Sequence, residues 1–153
     1  MIYDNKYMKM ALNEAKKAYV KDEVPVGAVI VKDNKVISKA HNLREIKNNA
    51  ICHAELLAID KACKKLNTWR LEDTTIYITL EPCMMCAGAI IQSRISNVVI
   101  GALDDKNGCI VSIAKLFDIN TTHKVKYITN VMDNECSYIL KDFFKILRSK
   151  KLK

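Results

Sequence analysis

The sequence predicts an α/β fold of three layers, with helices on both faces of a five-stranded mixed sheet. Three observations carry this. Late in the chain, short apolar runs alternate with helix-period segments, which implies right-handed crossovers and parallel strands. Early in the chain, two runs separated by Asp33-Asn34 read as an antiparallel hairpin. No repeat, linker or low-complexity tract interrupts the 153 residues, so 1–153 reads as a single domain.

The elements follow in order. Met8, Ala11, Leu12, Ala15, Ala18 and Tyr19 keep helical spacing and predict a helix over about 4–21. Val26–Val31 and Lys35–Ala40 are the hairpin strands, and 42–52 is polar loop. Glu55–Leu66 is a helix with Leu56, Ile59 and Cys63 on its apolar side. Thr74–Leu80 is a strand, Met84–Ser93 a helix and Asn97–Ala102 a strand. Residues 103–112 read as loop, 113–118 as a short helix, Val125–Val131 as the last strand and Asn134–Leu147 as the closing helix. Only four glycines are present, and those near the cysteines and after the fourth strand suggest tight packing around a site.

Composition bounds the class. No apolar run is long enough to cross a membrane as a helix. The segment MIYDNKYMKM lacks the apolar core of a signal peptide. The six cysteines are irregularly spaced, with a single C-x-x-C pair, so a disulfide framework is not expected and a reducing cytoplasm is. The net charge of +8 favours a polyanionic partner, although a lysine-rich surface alone accounts for it equally well.

Two runs carry chemistry: His53-Ala54-Glu55 and Pro82-Cys83-Met84-Met85-Cys86. One imidazole and two thiolates hold zinc through three bonds and leave a fourth position for water, the arrangement of a catalytic site. A closed structural site wants a fourth protein ligand, commonly from a second pair, and the sequence offers none. The thiolates sit where a helix should begin, and helix N–H groups favour them. Residues i and i+2 point about 200° apart in an ideal helix, so His53 and Glu55 converge only at a helix start. Glu55 is then the acid/base beside the water. The H-x-E…P-C-x-x-C pattern is the known one of zinc deaminases acting on nucleobases.

With these runs in view, the chain resembles the cytidine/deoxycytidylate deaminase superfamily and, within it, the bacterial tRNA-specific adenosine deaminases. The resemblance also includes EVPVGAV (23–29), AHNLRE (40–45), TWRLED (68–73), YITLEPCMMCAGAI (77–90), SRISNVVIGALDDKNG (93–108) and DFFKILR (142–148). It implies a cytidine-deaminase-like fold, one Zn2+ per subunit on His53, Cys83 and Cys86, and Glu55 as proton shuttle. It also implies hydrolysis of adenosine to inosine at wobble position 34 of a tRNA, by a cytoplasmic homodimer that contacts the anticodon arm. Asn42 would read the base, Val26 would line its pocket and Ala54 would contact it through the backbone. RNA contacts would map to Arg44, Asp104 and Lys106, with Arg70 and Arg148 as further candidates. Salt bridging explains Arg70 as well as RNA contact does. The basic run 148–153 reads as a solvated helix end or a phosphate contact, and Cys52 as a pocket wall.

Three other readings compete. A free purine base or nucleoside deaminase, guanine-deaminase-like, would share the reaction and the zinc motifs. A non-catalytic zinc module that binds RNA would need no carboxylate beside the metal, so Glu55 argues against it. A thiol redox protein would show a titratable disulfide in its C-x-x-C.

Overall fold

The structure is a computed structural model and describes residues 1–151. The basic run at 148–153 is therefore described only as far as Lys151. Ten elements are formed: α1 (Asn5–Val20), β1 (Gly27–Lys32), β2 (Lys35–His41), α2 (Ala54–Leu66), β3 (Thr75–Leu80), α3 (Met84–Gln92), β4 (Asn97–Ala102), a 3-10 turn (Leu116–Asp118), β5 (Lys126–Ile128) and α4 (Asp133–Lys151). The five strands make one mixed sheet in the order β2-β1-β3-β4-β5. β1 is antiparallel to both neighbours, while β3, β4 and β5 run parallel.

Each face of the sheet carries its own core. On one, Ala54, Ala58 and Ala62 of α2 and Ala87, Ile90 and Ile91 of α3 pack on Ile30, Ile76, Ile78, Val98 and Ile100. On the other, Tyr7, Met8, Ala11 and Leu12 of α1 and Cys136 of α4 pack on Val29, Val31, Tyr77 and Val99. Side chains alternate between faces along each strand, so these β-branched runs are buried on both sides. Gly27 is where α1 comes closest: a Cβ there would lie 1.9 Å from Ala11 O and 2.7 Å from Ala15 N.

The hairpin turn forms at Asp33-Asn34 as predicted, with φ of 51° and 59°. These left-handed values suit Asp and Asn and match the twist of the strands. Asn67, at φ 53°, ends α2 in the same way, its N–H reaching the carbonyls of Cys63 and Lys64.

Three sequence-based expectations change. The helix expected over 113–118 contracts to the 3-10 turn Leu116–Asp118. The last strand, expected to reach Val131, keeps only Lys126–Ile128, because Asn130 and Met132 take φ of 64° and 56° and break the extended run, although Val131 N still donates to Ile100 O of β4 at 3.0 Å. The closing helix is longer than expected, and Arg148, Lys150 and Lys151 in its last turn complement its dipole. Glycine packing is tight at Gly101 and Gly108 after β4, as expected, and also at Gly27, whereas Gly88 beside the cysteines has open space around it. All six cysteines are free thiols. No helix among the described residues is long and apolar enough to cross a membrane.

Candidate active site

Two helix N-termini meet at one point beyond the C-terminal ends of the parallel strands. His53 is the N-cap residue of α2 and Cys83 the N-cap of α3, and both have extended backbone. Neither side chain caps its own helix, so both are free to turn toward a shared centre. Cys86 lies three residues into α3, on the face Cys83 overhangs. His53 Nδ1 is 3.7 Å from Cys83 Sγ and 3.5 Å from Cys86 Sγ. All three ligand atoms lie within 4.8 Å of one another, the one such group of three found among the described residues.

These distances suit a metal. A nitrogen and a sulfur bound tetrahedrally to zinc sit about 3.6 Å apart, given bonds of about 2.0–2.1 and 2.3 Å. The donor set of one imidazole and two sulfurs suits zinc as well, and only three ligands leave a position open.

Electrostatics prepare the same centre. Cys83 is held down to about 4, first by a hydrogen bond from Cys86, then by His53 and the N–H of Cys86 against the cost of burial. Cys86 is pushed up, because its S–H serves Cys83 and its sulfur is buried. Cys83 raises His53 in turn. Glu55, in the first turn of α2, is only 4% exposed. Burial pushes its carboxyl up, opposed by its own backbone N–H and by the charge of His53. The convergence of His53 and Glu55 thus occurs at a helix start, as the spacing requires.

The centre forms the floor of an open groove of about 860 Å³. Val26, Asn42, Arg44, His53, Ala54, Glu55, Cys83, Asp104 and Lys106 all line it, and Cys86 is buried behind it. Asn42 is buried, donates from Nδ2 to Val24 O at 3.2 Å and accepts from Arg44 N at Oδ1. Each half of its amide keeps capacity for one more bond. Asp104 Oδ1 accepts from the N–H groups of Lys106 and Asn107, which fixes the turn that presents Lys106. Arg148 reaches the groove from α4. Arg70 does not line it; its Nε pairs with Glu72 at 2.9 Å and its guanidinium lies over Trp69. Cys52 is buried but is not a groove wall.

Four residues that matter here carry no role in the sequence reading. Lys141 and Phe144 line the groove from α4, where helical periodicity says only that a face is amphipathic. Glu23 and Glu81 are buried carboxylates that tie down the two loops flanking the groove. Burial raises Glu81, but the Ser112 hydroxyl and backbone N–H groups outweigh it and hold the carboxyl below the ordinary range. Glu81 interrupts a largely apolar stretch at Leu80-Glu81-Pro82, whereas Glu23 closes the charged run Lys21-Asp22-Glu23 and gives no such signal.

Comparison with known proteins agrees with this geometry. The family model of MafB19-like deaminases matches residues 2–148. A tRNA-specific adenosine deaminase of Bacillus subtilis (strain 168) is 50% identical over 152 residues, covering 99% of this chain and 94% of that one. One from Aquifex aeolicus (strain VF5) is 49% identical over 144 residues, covering 94% and 95%. A solved structure from biochemical and structural studies of A-to-I editing by tRNA:A34 deaminases at the wobble position superposes with a TM-score of 0.87. It is 38% identical and covers 90% of this chain and 100% of its own. The chain belongs to the MafB19-like deaminase family and stands with the tRNA-specific adenosine deaminases that it matches over nearly their full length.

Proposed function

We propose that this chain hydrolyses adenosine to inosine at position 34 of a tRNA anticodon arm, with Glu55 as the catalytic acid/base. The observation that carries this reading is the meeting of His53, Cys83 and Cys86 beside a buried carboxyl at the floor of a groove. Names borne by relatives of about half identity support the substrate. A free base or nucleoside deaminase is not favoured, since those relatives act by name on tRNA and the groove extends well past its floor to Arg44, Lys106 and Arg148.

His53, Cys83 and Cys86 would hold one Zn2+, which supplies a Lewis acid able to acidify water at its open position. Glu55 takes a proton from the attacking water and delivers it to N1 of the purine as the water oxygen bonds to C6. It then carries the hydroxyl proton to the amine on C6, the C–N bond breaks, and ammonia leaves. A carboxyl raised by burial suits a group that must both accept and donate near neutral pH. Asn42 offers a donor and an acceptor to the purine edge, Val26 and Ala54 wall the base, and Arg44 and Lys106 meet phosphates. Asp104 orders the turn beside them.

Exposed Ile51, Met84, Val111 and Ile113 lie close in sequence to groove residues, which supports a homodimer that covers them. A cytoplasmic location goes with a tRNA substrate.

The test is an inosine assay on an anticodon stem-loop with adenosine at position 34, beside free adenosine, adenine, guanine and cytidine. Inosine in the stem-loop, lost in Glu55→Ala, is the expected result. Conversion of a free base or nucleoside with the stem-loop untouched would overturn the tRNA assignment.

A further inference from the structure

Glu81 connects the end of β3 to Pro82-Cys83 and is 2% exposed. Its carboxylate has no cation within ion-pairing distance among the described residues and faces backbone instead. Oε1 accepts from Asp104 N at 3.0 Å and from the Ser112 hydroxyl. Oε2 accepts from the N–H groups of Ile110, Val111 and Ser112 at 3.0, 2.8 and 3.0 Å. One side chain thus gathers both ends of the loop from Asp104 to Ser112. The loop closes on it so tightly that a Cβ on Gly108 would lie 2.2 Å from Glu81 Cδ. A second tie, from Cys109 N to Pro82 O at 2.9 Å, joins the same two segments.

The first half of this loop is groove wall: Asp104, Asp105, Lys106 and Asn107 all line it. We infer that Glu81 is a positioning residue that holds the 104–112 loop as a fixed wall of the substrate groove, and so governs productive binding of the anticodon arm rather than the hydrolytic step. This rests on the tRNA reading above. A free loop of nine residues would have to be ordered by each incoming RNA, which weakens binding; a loop already held does not. The five bonds are charge-assisted and converge on a buried carboxylate, which strengthens them.

The experiment compares wild type, Glu81→Gln and Glu81→Asp as zinc-loaded enzyme. It reads zinc content, kcat and KM on the stem-loop, and amide hydrogen exchange at Asp104, Ile110, Val111 and Ser112. Glu81→Gln turns one acceptor into a donor facing N–H groups. KM should rise about tenfold or more while kcat stays within about threefold and zinc stays bound. The four amides should exchange about a hundredfold faster. Glu81→Asp keeps the charge one methylene short and should recover part of both effects; if Glu81→Gln does not fold, it carries the test. Unchanged exchange at the four amides, or a fall in kcat with zinc lost and KM unaltered, overturns the inference. If wild type leaves the stem-loop unedited, the tRNA reading has failed, and the loop-holding role is decided by exchange alone.

Discussion

Glu23 gives the sharpest test of how the other loop is held. Its side chain is fully buried, and it accepts from Glu45 N at 2.9 Å and Ile46 N at 2.8 Å. These bonds cross from the segment after α1 to the segment that carries Asn42 and Arg44. A hydrogen bond to a charged group contributes about 1.5–3 kcal/mol, so Glu23→Ala removes about 3–6 kcal/mol at full cost. Ile46 is 58% exposed, and water can reach the freed N–H groups, which places the expected loss near the lower end, about 3 kcal/mol. For a chain of this size that is a drop in Tm of roughly 6–12 °C. Glu23→Gln keeps one acceptor oxygen and should lose about 2 kcal/mol. Urea unfolding followed by circular dichroism measures both, with the slope of the transition unchanged if only stability moves. High salt should restore neither variant, since screening cannot replace a missing acceptor. A Glu23→Ala protein within about 1 kcal/mol of wild type would refute the reasoning, because it would mean that the two amides find equal partners in water.

Other outcomes follow from the same structure. Gly27→Ala drives a methyl into backbone atoms of α1 and should cost about 3 kcal/mol, read as an earlier urea midpoint, with no relief from trimming the side chain of Glu14. Burial raises Glu14, but Lys17 at 2.6 Å and His41 at 3.0 Å outweigh it and hold the carboxyl below its ordinary 4.5. A depressed carboxyl contributes stability above that ordinary value and loses it as pH falls through the lower folded value, so stability should decline as pH falls below 4.5. Glu14→Gln should flatten that decline, and an unchanged slope would count against the ion pairs. Removing metal with a chelator should lower stability by about 4 kcal/mol if free zinc had stood near a thousand times its dissociation constant. Cys86→Ser should abolish stoichiometric zinc by elemental analysis, and full retention would show that the ligand set is wrong.

Much of this was legible in the sequence, for identifiable reasons. Helices and strands appeared wherever apolar spacing ran over several turns or residues, as in Met8–Tyr19 and Val98–Ile100. The hairpin turn was readable because Asp33-Asn34 suits left-handed backbone. The meeting of His53, Cys83 and Cys86 was readable because they lie in two short runs at helix starts, where local rules place them. The short β5 was less so: its end depends on left-handed backbone at Asn130 and at Met132, and nothing about a methionine announces that. The carboxylate ties of Glu23 and Glu81 were illegible too. Each joins residues more than twenty positions apart, and no periodicity or spacing rule reaches across such a distance.

The two ties have a consequence for altering what the groove accepts. The proposed chemistry rests on helix starts, whereas the walls are loops pinned by single carboxylates that read backbone N–H groups and, at Glu81, the Ser112 hydroxyl. Side chains along those loops can therefore be exchanged widely, provided the donors stay in place. A graft that put proline at 45, 46, 110, 111 or 112 would delete one of them, whatever its side-chain chemistry. The rule for redesign is thus a rule about amides: keep these donors, Gly108 and the side chains that meet the substrate or order the turns, and the remaining wall positions are open to substitution.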